Sequence, residues 1–403
     1  MIWTKVTLSD VATLNYGKSL PAKKRVPGNI PVYGSNGIVG THDTPFVRSP
    51  GIIVGRKGSV GAVHISPKEF CPIDTTYFIT PEDSKCNFDF LYFMLIHIDL
   101  PRLVSDLVPG LNRDLAYSQE VLVPPLEEQH KIATLLLTVK RAIEQQKRLI
   151  ALTTELKRAL MNKLFTEGTR GEKQKETEIG LVPESWDIIP LESAGEVIYG
   201  IQAAVANNTK PIGTRIITNK NITLDGELDF EKQSYFEIKT ARHRKAILKK
   251  GDILFNWRSG SKEHVGKTAF FDRYGEWTHS SFILRIRASE KINNRFLFHY
   301  LSWLRAAQYF IKLHNYMVNA KFNKSAVNAL PTVLPDRPEQ DEIATAIDII
   351  IEKVNHHRAS NALMNRLFQM LLHQLMTAQV RVNDLDLSEL ENKVLKSGLD
   401  ENG

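Results

Sequence analysis

Hydrophobic residues recur along this chain with two different periods. Ile132, Leu136, Val139, Ile143, Gln146, Ile150, Thr153, Leu156, Leu160 and Leu164 step by four and three, the spacing that lays one seam along a long helix. The same steps return 211 residues later as Ile343, Ile347, Ile350, Val354, His357, Asn361, Met364, Leu367, Leu371 and Leu375. A helix of about 40 residues, at about 1.5 Å each, is a rod of roughly 60 Å. Two rods with matching seams most simply bury them against each other, which predicts an intramolecular, antiparallel coiled coil. Gln146 and His357 interrupt the seams, either fixing register as buried polar seam residues do or lying at an exposed edge. Elsewhere the pattern changes to short β-type runs, such as residues 51–54, 76–79, 252–255 and 281–284, separated by Gly, Pro and Asn turns.

The whole chain, and not the helices alone, is written twice. Trp3, Leu8, Tyr16 and Gly17 recur as Trp186, Leu191, Tyr199 and Gly200, at one offset of 183. Gly51 and Ile53 recur as Gly251 and Ile253 at offset 200, Arg56-Lys57-Gly58 resembles Arg258-Ser259-Gly260, and Tyr77 answers to Phe282. Asn112, Pro124, Glu128, Gln129, Ile132 and Ala133 recur at offset 211 as Asn323, Pro335, Glu339, Gln340, Ile343 and Ala344. The second copy is longer, mostly before Gly251. Pro125 and Pro338 suit a first helical turn, and the acidic residues after them favour the positive end of the helix dipole. The expected fold is therefore α+β: two globular mixed α/β domains in tandem, 1–124 and 183–335, each followed by a long helix, 125–166 and 336–380. Residues 167–182 read as a linker and 381–403 as an acidic, flexible tail.

At 403 residues two or three domains are expected. The longest apolar stretch, Phe90 to Ile98, is far short of the roughly 20 residues a membrane helix needs. The N-terminus lacks a secretory pattern, and two cysteines, Cys71 and Cys86, build no disulfide framework, so a cytoplasmic location is expected. Net charge is +7, unevenly spread: residues 183–335 carry 22 Lys or Arg against 14 Asp or Glu, and 125–166 carry 8 against 4. Lys239 to Lys250 holds six Lys or Arg and no acid. Such a surplus suits a polyanionic partner.

Catalytic patterns do not complete themselves. The stretch 261–268, SKEHVGKT, ends like a phosphate-cradling loop, but Ser261 stands where the first glycine belongs. The Pro124-Pro125 pair lacks the flanking Asn or Asp of an amino-methyltransferase loop. The cysteines have no metal-ligand spacing, and His356 and His357 are adjacent and cannot share a helix face. No metal and no catalytic residue is expected.

A duplicated globular domain, each copy followed by a Pro-x-x-Glu-Gln-x-x-Ile-Ala helix, resembles the specificity subunits of type I restriction-modification systems. The resemblance rests on residues 124–133 and 335–344, on Trp3 and Trp186, on the Val32 to Ile38 turn and on Gly55 to Gly61. It lacks a second copy of the Tyr-Gly-Ser-Asn-Gly turn. It implies a non-catalytic chain whose two target-recognition domains each read one half of a split, asymmetric double-stranded DNA site, and whose helices set the spacer and dock two methyltransferase subunits. Restriction subunits complete the complex. S-adenosylmethionine, ATP and Mg2+ then belong to the partner subunits, with no cofactor in this chain.

Base readers are sought on Gly-rich turns, where Arg pairs with guanine and Asn with adenine. The candidates are Ser35, Asn36, Arg56, Lys57 and Ser59 in the first copy, and Arg258, Ser259, Lys262 and His264 in the second. Arg242, Arg244 and Lys245 are expected to contact phosphates. Two alternatives stay open: a self-sufficient DNA methyltransferase or nuclease, and a coiled-coil scaffold that joins proteins without touching DNA.

Overall fold

The computed structural model describes residues 3–103, 110–202, 209–258, 264–310 and 323–382. The chain divides into two compact units, Met1–Arg148 with Arg358–Gly403, and Leu149–His357. Both dividing lines fall inside long helices.

In the first unit, β1 (Thr4–Thr7) pairs antiparallel with β9 (Glu120–Val123), closing the front domain just before helix α4 (Leu126–Glu167) begins. Between them lie a four-stranded antiparallel sheet and a three-stranded mixed one. The first has the order β2 (Asn15–Tyr16), β8 (Thr76–Ile79), β5 (Gly51–Gly55), β6 (Val63–Ser66). The second places β3 (Ile30–Gly34) between β4 (Gly37–His42), antiparallel, and β7 (Cys71–Pro72), parallel. Strand β5 is buried on both faces. Ile52 and Val54 join a core with helix α2 (Phe88–His97), while Ile53 turns the other way to Tyr33, Val47 and Phe70, as the period of two requires. Short helices α1 (Leu8–Val11) and α3 (Arg113–Tyr117) flank this core.

The second unit repeats the plan. Strand β12 (Asp187–Pro190) pairs with β20 (Pro331–Leu334) just before helix α9 (Arg337–Met376). The four-stranded sheet runs β13 (Gly195–Tyr199), β19 (Ile283–Ala288), β16 (Ile253–Asn256), β17 (Thr268–Phe270), and the three-stranded one β15 (Ser234–Phe236), β14 (Thr214–Ile217), β18 (Trp277–His279). Its helices are α5 (Leu191–Ala194), α6 (Ala241–Lys245), α7 (Asn294–Ala306) and α8 (Lys324–Asn328). Residues 167–182, read above as a linker, carry the hairpin β10 (Gln174–Thr177) and β11 (Gly180–Pro183), and Lys175 Nζ ties it to the carbonyls of Glu184 and Trp186.

Strand pairing corrects the sequence alignment by one residue in β5 and by two in β8. Val54 pairs with Tyr77 and Phe255 with Leu284; Gly55 N–H donates to Ala62 O, and Asn256 N–H to Lys267 O. The equivalent residues in this strand are therefore 201 apart, so Ile52 and Val54 match Ile253 and Phe255, and Tyr77 matches Leu284, not Phe282. Matching Ile53 to Ile253 would turn the strand over and exchange its two buried faces. The missing Tyr-Gly-Ser-Asn-Gly turn is also located. The two-residue turn Ser35–Asn36 between β3 and β4 becomes, between β14 and β15, the long connection 218–233.

The two long helices pair as an antiparallel coiled coil. Ile132, Leu136 and Ile143 share a core with Phe368, Leu372, Leu375 and Met376, with Val139 and Leu371 partly buried beside them. In the other unit Met161, Leu164 and Phe165 share one with Ile343, Ala344 and Ile347, and Leu160 is partly buried there. Ile350 and Val354 are buried and Ile150 half-buried. The expected seam is corrected at two positions, Leu156 and Leu367, which are 55% and 41% exposed. The seam passes instead through Met161 and Phe165, and through Phe368 and Leu372. A straight helix of 3.6 residues per turn drifts against a strict seven-residue repeat, and steps of four absorb the drift. Gln146 and His357 are half-buried. Of the residues read above as a tail, Arg381 is bonded to Glu128 and Val382 is fully buried, while 383–403 lie outside the described residues.

Candidate functional site

Each helix is fastened to its front domain by the same side chains. Trp3 Nε1 donates to Glu128 Oε2 at 3.0 Å, and Trp186 Nε1 to Glu339 Oε2 at 3.0 Å. Gln129 Nε2 donates to Pro124 O at 2.8 Å while its Oε1 accepts from Asn87 N–H at 2.7 Å. Gln340 makes the same pair with Pro335 O at 2.9 Å and Asn293 N–H at 2.6 Å. Both glutamates are 1% exposed, and a buried carboxylate persists only when charge and hydrogen bonds compensate it. Arg381 supplies this for Glu128 with bonds of 2.6 and 2.8 Å. Arg170 lies 3.9 Å from Glu339, which also accepts from Thr169 N–H, and Arg170 holds Asp336 and lowers its pKa. Arg170 and Arg381 are 211 residues apart, the offset of the helix repeat.

In the first unit the structure brings the candidate turn residues together. The Ser35–Asn36 turn lies against the loop 56–60: Ser59 Oγ is 3.5 Å from Asn36 Oδ1, and the Ser35 carbonyl meets His64 Nε2 at 3.2 Å. Asn36, Lys57 and Ser59 are exposed, and Ser35 and Arg56 half-buried. Gly58 and Gly61, at φ +80° and +74°, give the loop its left-handed turns. Arg56 is turned inward. Its Nη2 donates to Asp74 O at 2.8 Å and its guanidinium lies over the Tyr16 ring at 5.4 Å. Beside it opens a cleft of about 420 Å³ whose lining includes Tyr16, Lys57, Tyr77, Asn112 and Arg113. Arg113 also stacks on Tyr16, at 5.0 Å. Burial, and the hydrogen bond with Tyr16, push the Tyr77 hydroxyl up to about 12, so it stays a neutral donor, bonded to Leu111 O. Asn112, Arg113 and Tyr16 escaped the sequence reading, although Tyr16 and Asn112 stand at repeat positions.

The second unit carries its candidates on two elements. Arg242, Arg244 and Lys245 are exposed on α6, whose Thr240 side chain caps it by accepting from His243 N–H. Arg258 is exposed after β16 and lies over the Phe282 ring at 5.7 Å. His264 is half-buried, and its carbonyl accepts from Asn256 Nδ2 at 2.9 Å. Ser259 and Lys262 lie outside the described residues. Elsewhere in this unit Asp348 of α9 holds Arg295 and His299 of α7, with His299 Nε2 at 2.7 Å. Burial alone would raise the Asp348 pKa, but its bonds to His299 and Arg295 prevail and hold it at about 2.

Among the described residues no group of three His, Cys, Asp or Glu is placed to hold a metal, and no helix is long and apolar enough to cross a membrane. The type I restriction modification DNA specificity domain matches residues 2–154 and 183–365. The MjaVIII type I restriction enzyme specificity subunit of Methanocaldococcus jannaschii is 24% identical over 295 residues, 69% of this chain and 66% of its own length. The putative MjaX specificity subunit of the same organism is 32% identical over 209 residues, 49% of this chain and 48% of its own. The matched stretches thus span less than two thirds of these relatives. Among solved structures, the type I restriction-modification S subunit from M. genitalium superposes with a TM-score of 0.64 at 15% identity, over 93% of this chain and 96% of that one. A chain from a structural study of type I R-M complex assembly and conformational transition gives 0.55 at 15%, covering 93% and 97%. With both of its repeats matched, over a fold of two tandem α+β domains and an antiparallel helix pair, this chain belongs to the family of type I restriction-modification DNA specificity domains.

Proposed function

We propose that this chain is the non-catalytic, sequence-reading subunit of a type I restriction-modification complex. Each front domain reads one half of a split, asymmetric double-stranded DNA site, and the paired helices set the spacer and dock two methyltransferase subunits. Restriction subunits add translocation and cleavage, so S-adenosylmethionine, ATP and Mg2+ are used by partners. The observation that carries this reading is duplication of a framework without duplication of its surface. Sheets, helix-start clamp and paired helices are repeated, whereas the Ser35–Asn36 turn becomes residues 218–233 and α6 follows β15 in the second unit only. Equal frameworks with unequal loops suit two unlike half-sites, because loops carry recognition while a rigid scaffold positions them. Basic turns over aromatic rings suit a polyanion. The scaffold reading has no comparable use for them.

The test is selection from a random duplex library by the purified complex of this chain with its methyltransferase subunit. Bound duplexes should share two unlike short blocks at a fixed spacing. A single contiguous block, or no enrichment, contradicts the proposal. Binding of S-adenosylmethionine or nicking of DNA by this chain alone would favour the self-sufficient enzyme.

A further inference from the structure

Strand register shows that Arg56 and Trp257 occupy the same place. Gly55 and Asn256 are equivalent in β5 and β16, so the next residues, Arg56 and Trp257, correspond, and Lys57 corresponds to Arg258. On the facing strand, Ile73 N–H donates to Tyr33 O and Ser280 N–H to Ile217 O, so Asp74 corresponds to Ser281. Arg56 Nη2 donates to Asp74 O at 2.8 Å, and Trp257 Nε1 to Ser281 O at 2.7 Å. Arg56 lies 5.4 Å from the Tyr16 ring, and Trp257 lies 5.5 Å from the ring of Tyr199, the repeat of Tyr16. One side chain is cationic and the other neutral, yet each bonds the equivalent carbonyl and packs on the equivalent tyrosine, Arg56 over the ring and Trp257 edge to face. What both units keep at this position is a flat N–H donor, not a charge.

In both units a cation stands one residue later, and another follows the asparagine that caps a short helix. Lys57 and Arg258 are both exposed cations. Arg113 and Lys324 each follow a helix-capping asparagine, Asn112 or Asn323, and each adjoins the tyrosine, in different ways: the Arg113 guanidinium lies over the Tyr16 ring at 5.0 Å, whereas it is the main-chain N–H of Lys324 that donates to the Tyr199 hydroxyl at 2.9 Å. Two half-sites of different sequence have only their sugar-phosphate backbone in common, so chemistry that two diverged domains retain matches the phosphates. We infer that Arg56 and Trp257 are braces that hold the loop, and that Lys57 with Arg113, and Arg258 with Lys324, are equivalent phosphate clamps that position DNA without reading bases.

This rests on the DNA-reading function proposed above. It is tested on the full chain in complex with its methyltransferase subunit, by the salt dependence of affinity for the selected duplex and by the methylated motif. Lys57→Gln and Arg258→Gln should each weaken binding and lower the slope of log K against log salt by about 0.9, with the motif unchanged. Arg56→Ala should weaken binding, and Arg56→Trp, which installs the second unit's brace, should restore the wild-type affinity, slope and motif. A base position relaxed by Lys57→Gln, Arg258→Gln or Arg56→Trp, or an unchanged slope in both Gln variants, overturns the inference. Both Gln variants alter exposed side chains, so they fold and decide the matter by themselves. A wild-type complex that selects no motif overturns the DNA-reading function instead.

Discussion

His279 shows how a single residue ties the second unit to pH. It is completely buried in β18, with Nδ1 3.1 Å from Ile283 O, and burial pushes its pKa from 6.5 down to about 4. Between those values the unfolded chain binds the proton and the folded chain does not, so acid favours unfolding. The contribution is complete above pH 6.5 and is lost as pH falls toward 4. Urea unfolding of this unit should therefore lose about 2 kcal/mol between pH 7 and pH 5, and His279→Gln should remove most of that slope; equal slopes in the two proteins would contradict it. The residue scale is also where the sequence was least legible. Glu128, Gln129, Glu339 and Gln340 stood out by their repeat, but only folding reveals that they bind Trp3, Asn87, Trp186 and Asn293. Arg381 carried the same repeat signal as Arg170, masked by an acidic neighbourhood that read as tail. Arg56 read as a free cation because sequence does not show a carbonyl 18 residues away turning toward it.

At the scale of elements, both long helices and their direction of pairing were legible, because two rods that carry the same apolar seam in one chain bury it most simply against each other. The slip at Leu156 and Leu367 has a geometrical cause: a three-four step extended too far follows the seven-residue repeat, while the helix follows its own 3.6. Leu136, fully buried in the seam, should cost about 2 to 4 kcal/mol when truncated to Ala. Leu156→Ala, at an exposed position of the same helix, should change stability by less than about 0.5 kcal/mol. Comparable losses for the two variants in thermal or urea unfolding would restore the unbroken seven-residue seam. The strand offset of 200 failed for a related reason. Matching Gly51 to Gly251 and Ile53 to Ile253 satisfies identity, but a strand buried on both faces accepts only the register that keeps each face toward its own core.

At the scale of the molecule, duplication organises everything else. Two domains share sheets, clamps and helices, and they differ where a reader of unlike half-sites would have to differ. The basic surplus of residues 183–335 is displayed in part on α6, for which the first unit offers no counterpart among the described residues. The most direct test of the central claim is a map of methylated adenines across the genome of a methylation-free host that expresses this chain with its methyltransferase subunit. The account predicts methylation at one split, asymmetric motif that disappears when this chain is omitted. Methylation at a contiguous or symmetric motif, or the same motif without this chain, would contradict it.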